Sequence, residues 1–251
     1  MTYQFPSDTC TPILHRAARV VDIVQENHRT RTFTLDMHLP NAYPGQFVMV
    51  WLPGINEKPL SLMDNAPVRF TVAAVGPFTR ALHQVPVGGR VWVRGPFGRG
   101  FTLHGHHIVV VGGGYGVAPL HFLTRQALNQ GMKVTAIIGA RMKKDLLFED
   151  RFRALGIPTF VTTDDGSYGR QGVVTDLLHP LLERSTQKVD EVYACGPEPM
   201  LLAVRELCMH YRVPAQLSWV RVMRCGMGIC GSCARDGWLV CRDGPVERVY
   251  T

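Results

Sequence analysis

The chain lacks any apolar segment long enough to cross a bilayer, and its first residues lack the pattern of a secretory leader. The best candidate span, residues 106–122, is rich in glycine and shorter than the roughly 18 residues that a spanning helix needs. Residues 1–24 have no positively charged start followed by an uninterrupted apolar run. Internal repeats and low-complexity tracts are also missing. We therefore expect a cytoplasmic protein that does not bind to membranes.

Charged residues are few for a chain of this length. They make up 19% of the 251 residues, against 46% hydrophobic residues, which is typical of a folded globular protein. The net charge is +7, and the basic residues are scattered rather than interleaved with aromatic ones. That dispersion argues against a nucleic-acid partner. The positive excess suits a phosphate-rich cofactor or an acidic protein partner equally well.

Cysteine is scarce outside one stretch. Of the seven cysteines, Cys10, Cys195 and Cys208 are isolated, and the other four lie between residues 225 and 241. A lone cysteine usually behaves as a small hydrophobic residue, which is the interpretation we give Cys10 and Cys208. In a reducing compartment, clustered cysteines more often bind a metal or a cofactor than form disulfides.

The clustered residues Cys225, Cys230, Cys233 and Cys241 have the spacing C-x4-C-x2-C-x7-C. The first three match the plant-type [2Fe–2S] pattern, in which a more distant fourth cysteine completes the site. The glycines between them allow the tight turns that wrap backbone amides around such a cluster. A zinc site normally takes two well-separated C-x2–4-C pairs and fits this spacing less well. Thiols that hold no ligand are a further alternative.

Hydrophobic patterning predicts a multidomain α+β and α/β fold in three parts. Residues 1–103 contain short β-branched or aromatic segments between Pro and Gly turns, which favours an N-terminal antiparallel β-barrel, with a β-sandwich as the alternative. Residues 104–215 alternate apolar strands with helical periodicity, which indicates a central parallel α/β nucleotide-binding domain. Residues 216–251, which contain the four clustered cysteines, are predicted to form a small C-terminal iron–sulfur domain. The predicted strands are residues 18–26, 30–39, 45–52, 68–75, 89–95, 106–114, 133–141, 157–165 and 190–196, and the predicted helices are residues 118–131, 148–156, 173–183 and 198–211.

Two glycine-containing turns follow apolar strands of the central domain. The first holds Gly112, Gly113, Gly114 and Gly116, and the second is Cys195-Gly196-Pro197. A strand that runs through glycines into a helix lets the backbone approach a pyrophosphate, although a plain tight turn has the same composition. Because the carboxyl ends of parallel strands meet at one edge of a sheet, both turns are expected to line one crevice.

Asp164 and Asp165 follow a third strand of this domain. Carboxylates at that edge would repel a 2′-phosphate and so favour NAD over NADP. They could equally cap the turn before Gly166. The sequence leaves both interpretations open.

A series of motifs in a fixed order resembles one known architecture over nearly the whole chain. The series is P-G-Q-F, K-P-L-S, G-P-F-T, G-P-F-G-R-G-F, V-G-G-G-Y-G-V-A-P, T-T-D-D-G-S-Y-G, C-G-P-E-P-M and M-R-C-G-M-G-I-C-G-S-C followed by V-C-R-D-G-P-V. It is similar to the ferredoxin–NADP reductase superfamily and, within it, to the electron-transfer subunits of NAD-dependent dihydroorotate dehydrogenases.

The resemblance implies three cofactors, FAD, NAD and a [2Fe–2S] cluster, and no catalytic side chain of the chain's own. FAD would be bound by Lys58, Pro59, Leu60, Ser61, Thr71, Val72, Ala73, Gly76, Phe78 and Thr79, with Ser61 at the isoalloxazine edge. NAD would lie against Gly112, Gly113, Gly114, Gly116, Cys195, Gly196 and Pro197. The four clustered cysteines would ligate the iron.

Three positions depart from the family pattern. Lys58 stands where an arginine is usual, so a bidentate phosphate contact becomes a point charge. Phe78 replaces the second glycine of the G-x-G-T turn near the FAD phosphates. The seven-residue gap between Cys233 and Cys241 is shorter than in the bacterial members.

The implied function is electron transfer in pyrimidine biosynthesis. Electrons would pass between a partner subunit that carries flavin mononucleotide and oxidises dihydroorotate, the cluster, FAD and NAD, in a hetero-oligomer expected to be a heterotetramer. The arginines near the cysteines (Arg221, Arg224, Arg235, Arg242 and Arg248) would form a docking face or a solvated basic surface. Alternatives are an NAD(P)H-oxidising subunit of another complex, such as a sulfhydrogenase or transhydrogenase, and a non-catalytic redox-sensing or metal-binding regulator.

Overall fold

An antiparallel β-barrel forms the first part of the fold. The computed structural model describes residues 14–183 and 188–250, so Cys10 lies outside the described residues. The barrel closes in the order β1-β2-β5-β4-β3-β6. Its strands are β1 (Arg16–Asn27), β2 (Thr30–Leu35), β3 (Phe47–Leu52), β4 (Asn56–Asn65), β5 (Val68–Ala73) and β6 (Arg90–Phe97), and the helix α1 (Pro77–Leu82) follows β5.

Strand β3 is buried on both faces. Its alternate residues Val48, Val50 and Leu52 point into the barrel core. Phe47 and Met49 belong to a separate apolar cluster on the outer face, shared with the cysteine-rich segment. Period-two alternation therefore gives two apolar faces here, because a second part of the chain covers the outside of the barrel.

A seven-stranded sheet forms the second part of the fold. Its order is β10-β9-β8-β7-β11-β12-β15, with crossover helices between the parallel strands. The strands are β7 (His107–Gly113), β8 (Lys133–Ala140), β9 (Thr159–Thr163), β10 (Arg170–Gln171), β11 (Glu191–Cys195), β12 (Ala215–Ser218) and β15 (Val246–Val249), and the helices are α2 (Val117–Asn129), α3 (Glu149–Ala154), α4 (Thr175–Glu183) and α5 (Glu198–Tyr211). The central strands read as continuous apolar runs because both of their faces are covered.

The cysteine-rich segment lies between the barrel and the sheet. It contains a two-stranded hairpin of β13 (Ala234–Arg235) and β14 (Trp238–Leu239), then the short helix α6 (Val240–Asp243). The last strand, β15, pairs antiparallel with β12 and so completes the sheet. Strand β12 itself crosses the expected boundary at residue 216. In the described part of the chain, no helix combines the length and hydropathy that a bilayer span requires.

The expected fold class is confirmed, and two local differences concern the residues expected to bind FAD. Residues 58–61 lie inside β4, a strand that was not predicted, because Pro59 pairs with Met49 and Lys58 with Val50 across the barrel wall. The helix α1 was also not predicted. Its first residues belong to the G-P-F-T motif, and Phe78 and Leu82 pack into the barrel core.

Candidate functional site

The cysteine loop is seated on the outer face of the barrel. Cys233 and Cys241 are buried there, in one apolar cluster with Phe47, Met49 and Phe97. Cys225 is partly buried and Cys230 is exposed. Gly226 lies so close to the barrel that a Cβ on it would be 2.8 Å from Cγ of Met49, and its φ is +72°. A glycine is therefore required where the loop meets β3.

Backbone amides of the loop point at the sulfur atoms. The N–H of Gly228 donates to Sγ of Cys241 at 3.2 Å, and that of Ile229 donates to Sγ of Cys225 at 3.4 Å. Hydrogen bonds from Ser232 lower the pKa of Cys230 to about 6. Burial raises the pKa of Cys241 to about 12. Amides that donate to sulfur stabilise thiolates, which are the form that binds metal, and ligation deprotonates a coordinating thiol outright.

The four thiols form two hydrogen-bonded pairs, Cys225 with Cys230 and Cys233 with Cys241, and Cys225 also interacts electrostatically with Cys241. Among the described residues, no three His, Cys, Asp or Glu side chains converge on a single metal position. Two thiol pairs suit a cluster of two irons, each of which takes two thiolates, better than they suit one tetrahedral zinc ion. The donor set and the amides around it therefore fit a [2Fe–2S] cluster.

The short gap before Cys241 is a two-residue hairpin. Arg235 pairs with Trp238, and the turn between them is Asp236-Gly237. Both turn residues have positive φ, +45° and +86°, as the commonest two-residue hairpin turn requires. The hairpin returns the chain directly to Cys233, whose carbonyl accepts from the N–H of Val240 at 3.3 Å. Seven residues are therefore enough to bring the fourth cysteine to the third.

The two glycine-containing turns of the sheet touch each other. A Cβ on Gly116 would collide with the carbonyl of Cys195, and one on Gly113 would lie 2.7 Å from Sδ of Met200. The turns follow β7 and β11, which are adjacent parallel strands, and lead into α2 and α5. The predicted NAD residues therefore lie at one edge of the sheet. Burial raises the pKa of Cys195 to about 11, so its thiol is neutral.

The two aspartates after β9 differ in their contacts. Oδ1 of Asp165 accepts from the backbone N–H of Ser167 at 2.9 Å and from its hydroxyl at 2.6 Å, which lowers the pKa of Asp165. Asp165 therefore caps the turn before Gly166. Asp164 is exposed at the carboxyl end of β9. Of these two carboxylates, that of Asp164 is exposed and available to bind a ribose.

The residues predicted to bind FAD lie on two neighbouring strands and the turn after them. Residues 58–61 are in β4 and residues 71–73 in β5, and the Leu62–Phe70 pair joins these strands. The hydroxyl of Thr79 accepts from the N–H groups of Val75 and Gly76 at 3.0 and 2.9 Å, so it holds the turn. The side chain of Phe78 is in the barrel core, which leaves only its backbone to face a ligand.

Sequence reasoning missed an ion-pair network that joins the cysteine loop to the second glycine turn. Glu198, which directly follows this turn, receives two hydrogen bonds from Arg221 at 2.8 and 2.9 Å and pairs with Arg235 at 3.0 Å. The guanidinium of Arg235, only 7% exposed, stacks 3.4 Å from the ring centroid of Trp219. Two of these five arginines therefore form ion pairs within the chain, and the side chain of one of them, Arg235, is nearly buried.

Matches to family models cover both the sheet and the cysteine loop. Residues 110–206 match the oxidoreductase NAD-binding domain. Residues 221–249 match the iron–sulfur cluster binding domain of dihydroorotate dehydrogenase B.

Curated relatives and solved structures agree with these matches. A probable dihydroorotate dehydrogenase B (NAD(+)) electron transfer subunit of Methanocaldococcus jannaschii is 40% identical, with 91% of this chain and 87% of the relative covered. A protein of the same description from Methanopyrus kandleri is 43% identical, with 91% and 88% covered. A chain from the structure of NADH-dependent reduced ferredoxin–NADP oxidoreductase has a TM-score of 0.82 and 30% identity, with 92% of this chain and 87% of that one covered.

The resemblance expected from the motifs is thereby confirmed over nearly the whole length of the chain. The relatives are oxidoreductase components, and the fold is that of FAD- and NAD-dependent reductases with an added iron–sulfur segment. The chain belongs to the family of dihydroorotate dehydrogenase B (NAD(+)) electron transfer subunits.

Proposed function

We propose that this chain passes electrons between NAD, FAD, a [2Fe–2S] cluster and a partner subunit that oxidises dihydroorotate in pyrimidine biosynthesis. When bound, FAD exchanges a hydride with nicotinamide and single electrons with the cluster. The partner would carry flavin mononucleotide, and the complex would be a cytoplasmic heterotetramer. A reducing compartment suits four thiols that must stay available to iron.

The observation that carries this proposal is the position of β3. One edge of β3 pairs with the flavin-motif strand β4, through Phe47 with Ser61 and Met49 with Pro59. The side chains of Phe47 and Met49 also pack against the cysteine loop. Two cofactor motifs that are more than 150 residues apart in the chain are therefore separated by a single strand. That arrangement is what electron transfer between two cofactors requires.

Each proposed cofactor has a defined set of residues. The cluster would be held by Cys225, Cys230, Cys233 and Cys241; FAD by Lys58, Pro59, Leu60, Ser61, Thr71, Val72, Ala73, Gly76, Phe78 (through its backbone) and Thr79; and NAD by Gly112, Gly113, Gly114, Gly116, Cys195, Gly196 and Pro197. Lys58 would contribute a point charge to a phosphate. The N-terminal end of α2, directly after the first glycine turn, favours the negative pyrophosphate.

Anaerobic co-purification with an untagged dihydroorotate-oxidising subunit tests the proposed function. We expect a complex that contains FAD, flavin mononucleotide and iron, and that reduces NAD⁺ on addition of dihydroorotate. A chain that binds FAD and the cluster and oxidises NADH, but does not form this complex, would instead belong to another assembly. The likeness to the reduced ferredoxin–NADP oxidoreductase chain supports that second candidate.

Exposed apolar side chains around the cysteine loop form the proposed docking surface for the partner. Ile229, between Cys225 and Cys230, is 78% exposed, and Val220 and Val222 before the loop are exposed as well. Exposed apolar groups next to a redox centre are suited to a protein interface.

Ile229→Glu is expected to raise the dissociation constant for the partner by at least about tenfold, because a charged carboxylate would replace an apolar side chain at the interface. Sedimentation or light scattering of the mixed subunits measures this. Ile55→Glu, at an exposed position in the β3–β4 turn at the opposite end of β3, is the matched control and should bind normally. If the two variants weaken binding to the partner equally, or if neither weakens it, the result contradicts this docking surface.

Asp164 is proposed to select NAD over NADP. Asp164→Asn removes the exposed charge that would face a 2′-phosphate, so kcat/KM for NADPH relative to NADH should rise about tenfold. Asp165→Asn is the matched control, because the Asp165 side chain is directed to Ser167 and its replacement should change the ratio less. Steady-state rates of artificial-acceptor reduction with both nucleotides measure the ratio. An unchanged ratio in the Asp164 variant would remove this residue from the specificity argument.

A further inference from the structure

A buried arginine lies beneath the cysteine loop, on strand β6. Arg94 is 6% exposed, and its Nε and Nη2 both donate to the carboxylate of Glu57 at 2.6 Å. His15 contacts the same carboxylate at 2.7 Å. Burial opposes ionisation of Glu57, but hydrogen bonds from Arg94 and His15 outweigh it and lower the pKa of Glu57. The pair is therefore ionic at neutral pH.

The third nitrogen of this guanidinium is buried and finds no acceptor among the residues that the structure describes. A guanidinium is planar, so when Nε and Nη2 face a carboxylate, Nη1 points away from it. The carboxylate of Glu57 therefore faces only one side of the Arg94 guanidinium. A buried N–H without a partner costs stability, so its presence here calls for a functional explanation.

Arg94 is one layer of side chains away from the cysteine loop. It is directly opposite Met49 in the β3–β6 ladder, and its guanidinium carbon is 5.3 Å from the ring centroid of Phe97. Met49 and Phe97 both face Gly226, whose Cβ would lie 2.8 Å from the first and 3.6 Å from the second. Gly226 is the neighbour of Cys225. The material between the cation and the loop is apolar and excludes water.

We propose that Arg94 raises the reduction potential of the [2Fe–2S] cluster, with Glu57 as the counter-ion that limits the effect. The inference rests on the proposed function, since it needs the cluster in this loop. Reduction adds one negative charge to the cluster, and a fixed cation across an apolar layer stabilises the reduced state with little screening. Arg94 does not touch the cluster, so it acts through its field.

Four single variants distinguish an effect of the Arg94 charge from an effect of disrupting the Arg94–Glu57 pair. Arg94→Gln removes the cation, Glu57→Gln removes the anion, and Arg94→Lys keeps the cation but loses the bidentate geometry. Arg153→Gln is the control for loss of a distant arginine, since Arg153 pairs with Glu149 on α3, beside β9 near the opposite edge of the sheet. Each reconstituted chain is titrated redox-potentiometrically, with the reduced cluster followed by electron paramagnetic resonance.

We expect Arg94→Gln and Glu57→Gln to shift the reduction potential of the cluster in opposite directions. At a fixed solution potential, Arg94→Gln should lower the ratio of reduced to oxidised cluster about tenfold, which is about 59 mV for a one-electron couple. Glu57→Gln should raise that ratio severalfold. Arg94→Lys and Arg153→Gln should each stay within about twofold of the unmodified chain.

Shifts in the same direction for Arg94→Gln, Arg94→Lys and Glu57→Gln would overturn the inference, because all three break the same bidentate pair. Unchanged potentials in Arg94→Gln and Glu57→Gln would overturn it as well. If Arg94→Gln does not fold, the comparison of Arg94→Lys with Glu57→Gln still separates the two explanations. Absence of a [2Fe–2S] signal from the unmodified chain would instead contradict the proposed function, so the two failures are distinguishable.

Discussion

Cys233→Ser is expected to abolish the [2Fe–2S] cluster while NADH still reduces the bound FAD. Cys233 is buried where the loop meets the barrel, and it accepts a hydrogen bond from the N–H of Cys241 at 3.4 Å. A serine hydroxyl is a poor replacement for a thiolate as an iron ligand. Electron transfer to the partner should fall by more than about 100-fold, beyond the loss seen when only a supporting contact is removed.

Iron and sulfide content, the paramagnetic signal of the reduced cluster and NADH-dependent dye reduction measure these two outcomes separately. Cys208→Ala is the matched control, because Cys208 is buried in α5 away from the loop and burial raises its pKa to about 12. The control should keep its cluster and lose only about 1 kcal/mol of stability. Full iron content in Cys233→Ser would remove this residue from the ligand set.

Gly116→Ala is expected to lower kcat/KM for NADH by about 100-fold, with FAD and cluster content unchanged. The added Cβ would strike the carbonyl of Cys195, and backbone atoms on both sides cannot move aside as a flexible side chain could. The two nucleotide turns would therefore be pushed apart at their point of contact. Misplacement of a binding group by about 1 Å can cost 100-fold in rate.

Stopped-flow reduction of the flavin by NADH gives this rate directly. Gly131→Ala is a suitable control: Gly131 has a φ of +76°, but a Cβ there meets nothing within 4 Å. It should cost about 1 kcal/mol of stability from the unfavourable backbone conformation and leave NADH reduction intact. A normal rate in Gly116→Ala would contradict the placement of NAD against these turns.

Local sequence patterns were sufficient to predict the elements in which buried residues recur at a regular interval. The apolar runs before Gly112 and before Cys195 predicted β7 and β11, because strands covered on both faces must be apolar throughout. Helical spacing in residues 198–211 likewise predicted α5 with the same bounds. Pro59 had the opposite effect, since a proline within a run argues against a strand, and β4 was not among the predicted strands.

Contacts between segments that are distant in the chain were harder to predict from the local sequence. Nothing local in the sequence marks Arg94 as buried, since its partner Glu57 is two strands away in the barrel and its covering loop begins more than 120 residues later. The same holds for Arg235, which looked like a surface cation and instead stacks on Trp219. A charged residue becomes internal only when folding supplies both a counter-ion and an apolar cover.

Local sequence patterns were enough to predict the three-part fold and the four candidate iron ligands. Strand and helix periods and cysteine spacing are properties of neighbouring residues, and the chemistry of a [2Fe–2S] cluster imposes that spacing. The folded chain was needed to show that the last strand joins the nucleotide sheet and that the cysteine loop packs on β3 beside the flavin-motif strand. Such contacts arise because apolar faces on distant segments bury one another. The sequence of one segment shows that its face is apolar, but it does not show which other segment covers that face.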